Sequence, residues 1–136
     1  MAGYSGTPLP KKLGVKENQR IALINAPSDF QNQLGVLPPQ SVIVKRMTAP
    51  LDLVICFVDR ESRLLKRFPE LAKKLAPNGM IWVAWPKKSS GMPTDLVFER
   101  VQRIGLGCGL VDVKICAVDD VWSGLKFVIR LRDRKK

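Results

Sequence analysis

Two runs along the chain are apolar at nearly every position. Leu51 to Val58 (LDLVICFV) and Met80 to Trp85 (MIWVAW) have the pattern of central strands covered by helices on both faces. Arg20 to Asn25 (RIALIN) is a shorter run of this kind, and Ser41 to Lys45 is a short β-branched one. Helical spacing takes over from Arg60 to Ala76, where Leu64, Phe68, Leu71, Ala72 and Leu75 share one face. Pro69 predicts a break at Phe68, with the proline opening a second short helix. Ser28 or Asp29 predicts the cap of a short helix through about Leu34. Thr94 predicts another cap, with Asp95 in the first turn and Val97, Val101 and Ile104 turned inward, the helix running to about Gly105. Pro77-Asn78-Gly79 reads as a turn. Val111 to Val118 and Leu125 to Leu131 alternate, which predicts an antiparallel strand pair at a sheet edge, joined by a loop at Asp119, Asp120, Trp122 and Ser123.

Strands alternating with helices predict an α/β fold: a mostly parallel sheet, helices on both faces, and a C-terminal antiparallel strand pair. The link between Ser41 and Leu53 is too short for a crossover helix, so the direction of the second strand stays open. Residues 1–12, rich in Gly, Ser, Thr and Pro, predict an extended arm. Residues 13–132 form a single domain, and 133–136 a basic tail.

From Asp52 to Arg132 the succession resembles the C-terminal half of class I S-adenosylmethionine-dependent methyltransferases, in which a helix ends in a proline-glycine turn before the next strand. The residues that carry it are LAKKLAPNGMIWVAW, followed by a strand, a helix and a closing antiparallel pair. The lead-in LGVKENQRIALIN resembles that family's approach to its first strand, and IWVAWPK with WSGLKFVIRL resembles a bacterial family of unknown function. The resemblance implies a Rossmann-like sheet, reduced by one βα unit. Two departures stand against the usual cofactor. The turn after the first strand, Asn25-Ala26-Pro27-Ser28-Asp29, has no glycine where a ligand should approach bare backbone. The acid expected at the end of the second strand, to accept from ribose hydroxyls, is replaced by Lys45-Arg46.

Composition narrows the chemistry. The 136 residues contain no histidine, which removes the commonest general base and metal ligand and leaves no support for a zinc site or a histidine-based triad. The three cysteines form no CxxC pair and read as core residues in a reducing compartment. No apolar leader and no membrane-length run is present, and the glycine that myristoylation needs after the first methionine is missing. These features lead to the expectation of a cytoplasmic protein that engages no membrane. The net charge of +11 favours phosphate-bearing partners, though aromatics are only 7% and no paired aromatic RNA-recognition motif is present.

In an open α/β sheet, ligands bind beyond the carboxyl ends of the strands. Three loops should meet there, giving the candidate ligand-binding residues Asn25 and Ser28; Asp59 and Arg60; and Trp85, Lys87, Lys88, Ser89 and Ser90. The third loop joins two cations, two hydroxyls and a tryptophan face, suited to a phosphate or carboxylate. No catalytic residue, metal ligand or cofactor is assigned. The resulting expectation is a non-catalytic binding module for an anionic small molecule or a protein partner, rather than an enzyme. Two alternatives remain: an enzyme or nucleotide-type ligand binder with an altered pocket at the strand C-termini, and, from charge alone, a nucleic-acid-binding protein.

Overall fold

A computed structural model describes residues 7–134. The first helix, α1 (Leu9–Leu13), is followed by β1 (Arg20–Ile24), α2 (Phe30–Leu34), β2 (Val42–Ile43) and β3 (Leu51–Phe57). Then come α3 (Glu61–Lys73), β4 (Leu75–Pro86), α4 (Phe98–Gly107), β5 (Leu110–Ala117) and β6 (Trp122–Ile129). The six strands form one sheet in the order β2-β1-β3-β4-β6-β5. The first four are parallel, and β6 runs antiparallel between β4 and β5. The fold is Rossmann-like, with the expected order of elements from β1 onward.

Each face of the sheet carries its own core. On one, Val54 and Cys56 of β3 and Ile81 and Val83 of β4 lie beneath Leu64, Phe68 and Leu71 of α3 and Val101 and Ile104 of α4. On the other, Ile21, Leu53, Ile55, Phe57 and Trp82 lie beneath Leu13 of α1 and Phe30 and Leu34 of α2. This two-sided burial is why the β3 and β4 segments show no alternation in sequence. Among the described residues, no helix is long and apolar enough to cross a membrane, and no group of His, Cys, Asp or Glu is gathered to hold a metal.

Several local expectations are corrected. Residues 9–13 of the expected arm and domain start are helical, and Leu13 is fully buried; residues 1–6 lie outside the described part. The expected basic tail begins within a 3₁₀ turn, Leu131–Asp133, and residues 135–136 lie outside the described part. β2 is parallel to β1, since α2 supplies the return between them, and residues 44–50 then pass to β3 without a helix. Helix α3 continues through Pro69, because Leu64 before it and Phe68 and Leu71 around it are all anchored on the sheet, outweighing the lost donor. Pro77-Asn78-Gly79 is a bulge within β4 rather than a turn, between the pairings Leu51 with Leu75 and Leu53 with Met80. Gly79 fits there because a Cβ would lie 2.7 Å from the Leu51 carbonyl oxygen. Helix α4 starts at Phe98, four residues after Thr94, so Val97 is exposed and Leu96 is buried in its place. Trp122 and Ser123 belong to β6, which is an interior strand, while β5 forms the edge.

Candidate functional site

The register of β1 and β3 sets Ile24 opposite Cys56, so both strands end at one level and release Asn25 and Val58–Asp59 side by side. Asn25 has φ 55°, the left-handed conformation for which glycine is the usual choice and which asparagine tolerates better than most residues. The tight turn after β1 is therefore formed without glycine.

Two cavities open at this end. The larger, about 280 Å³, is bounded by Asn25, Cys56 and Val58 and by Arg63, Lys66 and Arg67 of α3, with Glu70 at its far end. The smaller, about 190 Å³, is bounded by Asn25, Phe57, Asp59, Arg63 and Trp122. Asn25, Phe57, Val58 and Arg63 are common to both, making them two lobes of one site. The Arg63 guanidinium pairs with Asp59 Oδ1 at 3.3 Å. Phe57 meets Phe30 and Trp122 edge-on, at centroid distances of 4.8 and 5.1 Å, which fixes the half-buried Trp122 at the wall of the small lobe. Burial pushes the Cys56 thiol up from 9.0 to about 11, against the pull of the Arg67 guanidinium, so this thiol is protonated at neutral pH and is not a nucleophile.

The segment before α4 supports this site from outside. Thr94 Oγ1 donates to the Asp59 carbonyl oxygen at 2.8 Å and accepts from the Leu96 N–H at 3.0 Å. Asp95 Oδ1 accepts from the Glu61 N–H at 2.8 Å. Asp95 thus caps α3 from a distance, while Arg60 at the N-cap makes no side-chain cap bond. A second tie joins the two helices, Arg100 Nη1 to Glu61 Oε1 at 3.1 Å.

Of the residues expected to converge, the structure brings Asn25 and Asp59 together. Ser28 and Arg60 are exposed and bound neither lobe. The third loop lies apart: Trp85, Lys87 and Lys88 edge a separate depression of about 310 Å³ with Phe98, Glu99 and Ser123. Trp85 is 6% exposed within the α3/α4 core and offers no open stacking face. Ser90 Oγ is engaged, donating to the Lys87 carbonyl oxygen at 2.6 Å and accepting from Met92 N–H at 3.2 Å, and Ser89 borders none of these cavities. Sequence reasoning missed Arg63, Lys66, Arg67 and Glu70. Their i, i+3, i+4, i+7 spacing marks one polar face of α3, but nothing local says what lies across from it. It also placed Trp122 in a loop between the last two strands and not among the candidate ligand-binding residues.

No family model and no curated protein sequence matches the chain. Solved structures do. A ribosomal protein L11 methylase from Lactobacillus delbrueckii subsp. bulgaricus matches at TM-score 0.59 and 11% identity, over 89% of this chain and 74% of that one. A SAM-dependent methyltransferase from Aquifex aeolicus matches at TM-score 0.60 and 16% identity, over 86% and 85%. The chain has a class I methyltransferase-like fold. Aeropyrum pernix fibrillarin, solved with natively bound S-adenosyl-L-methionine, matches at TM-score 0.61 and 12% identity, over 93% and 70%.

These matches are enzymes, and they overturn the expectation of a non-catalytic module and of a chain that is no enzyme. That expectation rested on the positive charge, the absence of histidine and the glycine-free turn after β1; the turn itself is made with Asn25 in the left-handed region. The cavity nevertheless does not fit S-adenosylmethionine in the usual way. The cofactor's sulfonium is a cation, whereas three cations flank the larger lobe. Lys45 and Arg46, both exposed, stand just after β2 where a ribose-binding acid would be needed.

Proposed function

We propose that the chain is an enzyme that takes an anionic, nucleotide-type ligand in an altered pocket at the C-terminal ends of β1 and β3. The observation that carries this reading is the pairing of the two lobes: three cations on α3 along one, and Trp122 with the edge of Phe57 in the other. Arg63, Lys66 and Arg67 suit a phosphate, with the guanidinium forks giving direction to its oxygens. Trp122 suits the face of a base. Asp59, on the smaller lobe and paired with Arg63, is the carboxylate best placed to move a proton on the bound ligand. The methyltransferase-like fold supports an enzyme, and the charge of the pocket supports a ligand different from that fold's usual cofactor.

Thermal denaturation with AMP, ATP and S-adenosylmethionine in separate arms tests the reading. A nucleotide at one hundred times its Kd adds about 2.7 kcal/mol by mass action. With roughly 2.1 cal/mol/K of unfolding entropy per residue over 136 residues, the midpoint rises by about 9 °C. Arg63→Gln/Arg67→Gln abolishes that rise, and Asp59→Asn keeps it while stopping consumption of the nucleotide, followed by chromatography. Stabilisation by S-adenosylmethionine alone refutes the ligand class. A nucleotide response that survives the double substitution refutes the site.

A further inference from the structure

On the face of the sheet covered by α1 and α2, the register aligns Trp82 of β4, Lys126 of β6 and Lys114 of β5 in one row. Directly opposed residues of an antiparallel pair project to one side, and like charges so opposed repel. Lys114 and Lys126 are such a pair. The Lys126 ammonium lies 5.9 Å from the centre of the Trp82 ring, and the buried indole donates to the Leu13 carbonyl oxygen at 2.8 Å. The Lys114 ammonium reaches the Lys12 carbonyl oxygen, in the last turn of α1, at 3.4 Å. Lys16 lies just after α1 in the chain. None of the ion pairs among the described residues involves Lys16, Lys114 or Lys126.

We infer that Lys114 and Lys126 form a second anion site, for a phosphate-bearing ligand, separate from the cavity at Asn25. A fold that sets two lysines face to face on neighbouring strands carries a repulsion that a multiply charged anion relieves. Burial together with Lys114 and Lys16 lowers the Lys126 pKa, in keeping with a site short of negative charge. The Lys114 contact to Lys12 brings α1 to β5, and the register of Lys114 with Lys126 brings β6 to the same point. The row bounds neither lobe of the cavity at Asn25 nor the Trp85 depression. Its surface suits a phosphate oxygen cluster held by several ammonium groups, whether from a free oligophosphate or from a nucleic-acid backbone.

Binding of tripolyphosphate and of a short single-stranded RNA, in separate arms over a salt series, tests the inference. The variant is Lys114→Gln/Lys126→Gln, which keeps the side-chain stems on the sheet. The control, Lys73→Gln/Arg103→Gln, removes the same charge from exposed positions on α3 and α4. The expected result is at least a roughly tenfold weaker Kd for the cluster variant in one or both arms, with the control nearly unchanged. For the RNA, the slope of log Kd against log salt falls by about 1.4, at roughly 0.7 per lost cation. A tripolyphosphate response assigns the site to free phosphate groups, and an RNA-only response assigns it to the backbone. Lys114→Gln alone melts no lower than the parent, so folding does not confound the result. The inference is overturned if neither anion binds at low salt, if the control loses as much affinity as the cluster variant, or if Lys114→Gln destabilises the protein.

Discussion

Gly105 lies in the part of α4 that faces β6, and replacing it by alanine tests the close packing of that helix on the sheet. A Cβ built there falls 2.0 Å from Phe127 Cε2, 2.4 Å from Cδ2 and 2.5 Å from Cζ. Carbon atoms in ordinary contact are about 3.5–4.0 Å apart, so the helix or the ring must give by roughly 1.5 Å. The ring has nowhere to go: Phe127 is fully buried, and Phe68 stands edge-on to it at 5.2 Å. Overpacking of this kind costs about 3 kcal/mol at the upper end of its usual range. Alanine regains about 1 kcal/mol over glycine in a helix, which leaves a net loss of about 2 kcal/mol. At roughly 2.1 cal/mol/K per residue over 136 residues, the midpoint falls by about 7 °C. Gly107, in the same helix, has nothing within 4 Å of its built Cβ. Gly107→Ala should therefore hold or slightly raise the midpoint. Calorimetry or circular dichroism on the two variants reads opposite signs. Phe127→Leu should recover part of the Gly105→Ala loss in a double-mutant cycle, since the two residues touch. A Gly105→Ala protein as stable as the parent would refute the close approach of α4 to β6.

The other predictions concern the site and its supports. Asn25→Ala forces an ordinary side chain into the left-handed region and costs about 1 kcal/mol in urea denaturation, while Asn25→Gly costs nothing measurable; equal losses would show that the asparagine side chain, not its backbone, matters. Asp95→Ala removes the cap on the Glu61 N–H and costs about 1 kcal/mol, most of which Asp95→Asn retains because its amide oxygen still accepts. The Cys56 thiol, raised from 9.0 to about 11, is protonated in the folded state across a window where the unfolded chain has lost that proton. Since the folded state then binds more protons, stability falls as pH rises from about 9 to 11, by roughly 2–3 kcal/mol in all. Cys56→Ala flattens that part of the pH profile, and an unchanged slope would count against the burial of the thiol.

Much of the fold follows from the chain alone. LDLVICFV and MIWVAW are apolar on both faces because helices cover both sides, the pattern of central strands in an α/β sheet. The polar periodicity of Arg60 to Ala76 defines α3 in the same local way. Proline and capping signals are less reliable guides, because they report local preference and the packing around them decides otherwise. Pro69 is carried inside α3 by Phe68 and Leu71, and Asp95, expected in the first turn of its own helix, accepts instead from the Glu61 N–H of α3. The site divides along the same line. Its level, at the C-terminal ends of β1 and β3, is legible, since strand order alone directs ligands there. Its content is not. Arg63, Lys66 and Arg67 become a wall only when α3 lies alongside Asn25, and Trp122 becomes part of the small lobe only when β6 returns antiparallel beside β4. The missing glycine after β1 is plain in the sequence, but whether the turn forms without it depends on a backbone angle. Only the tertiary structure holds Asn25 at φ 55°.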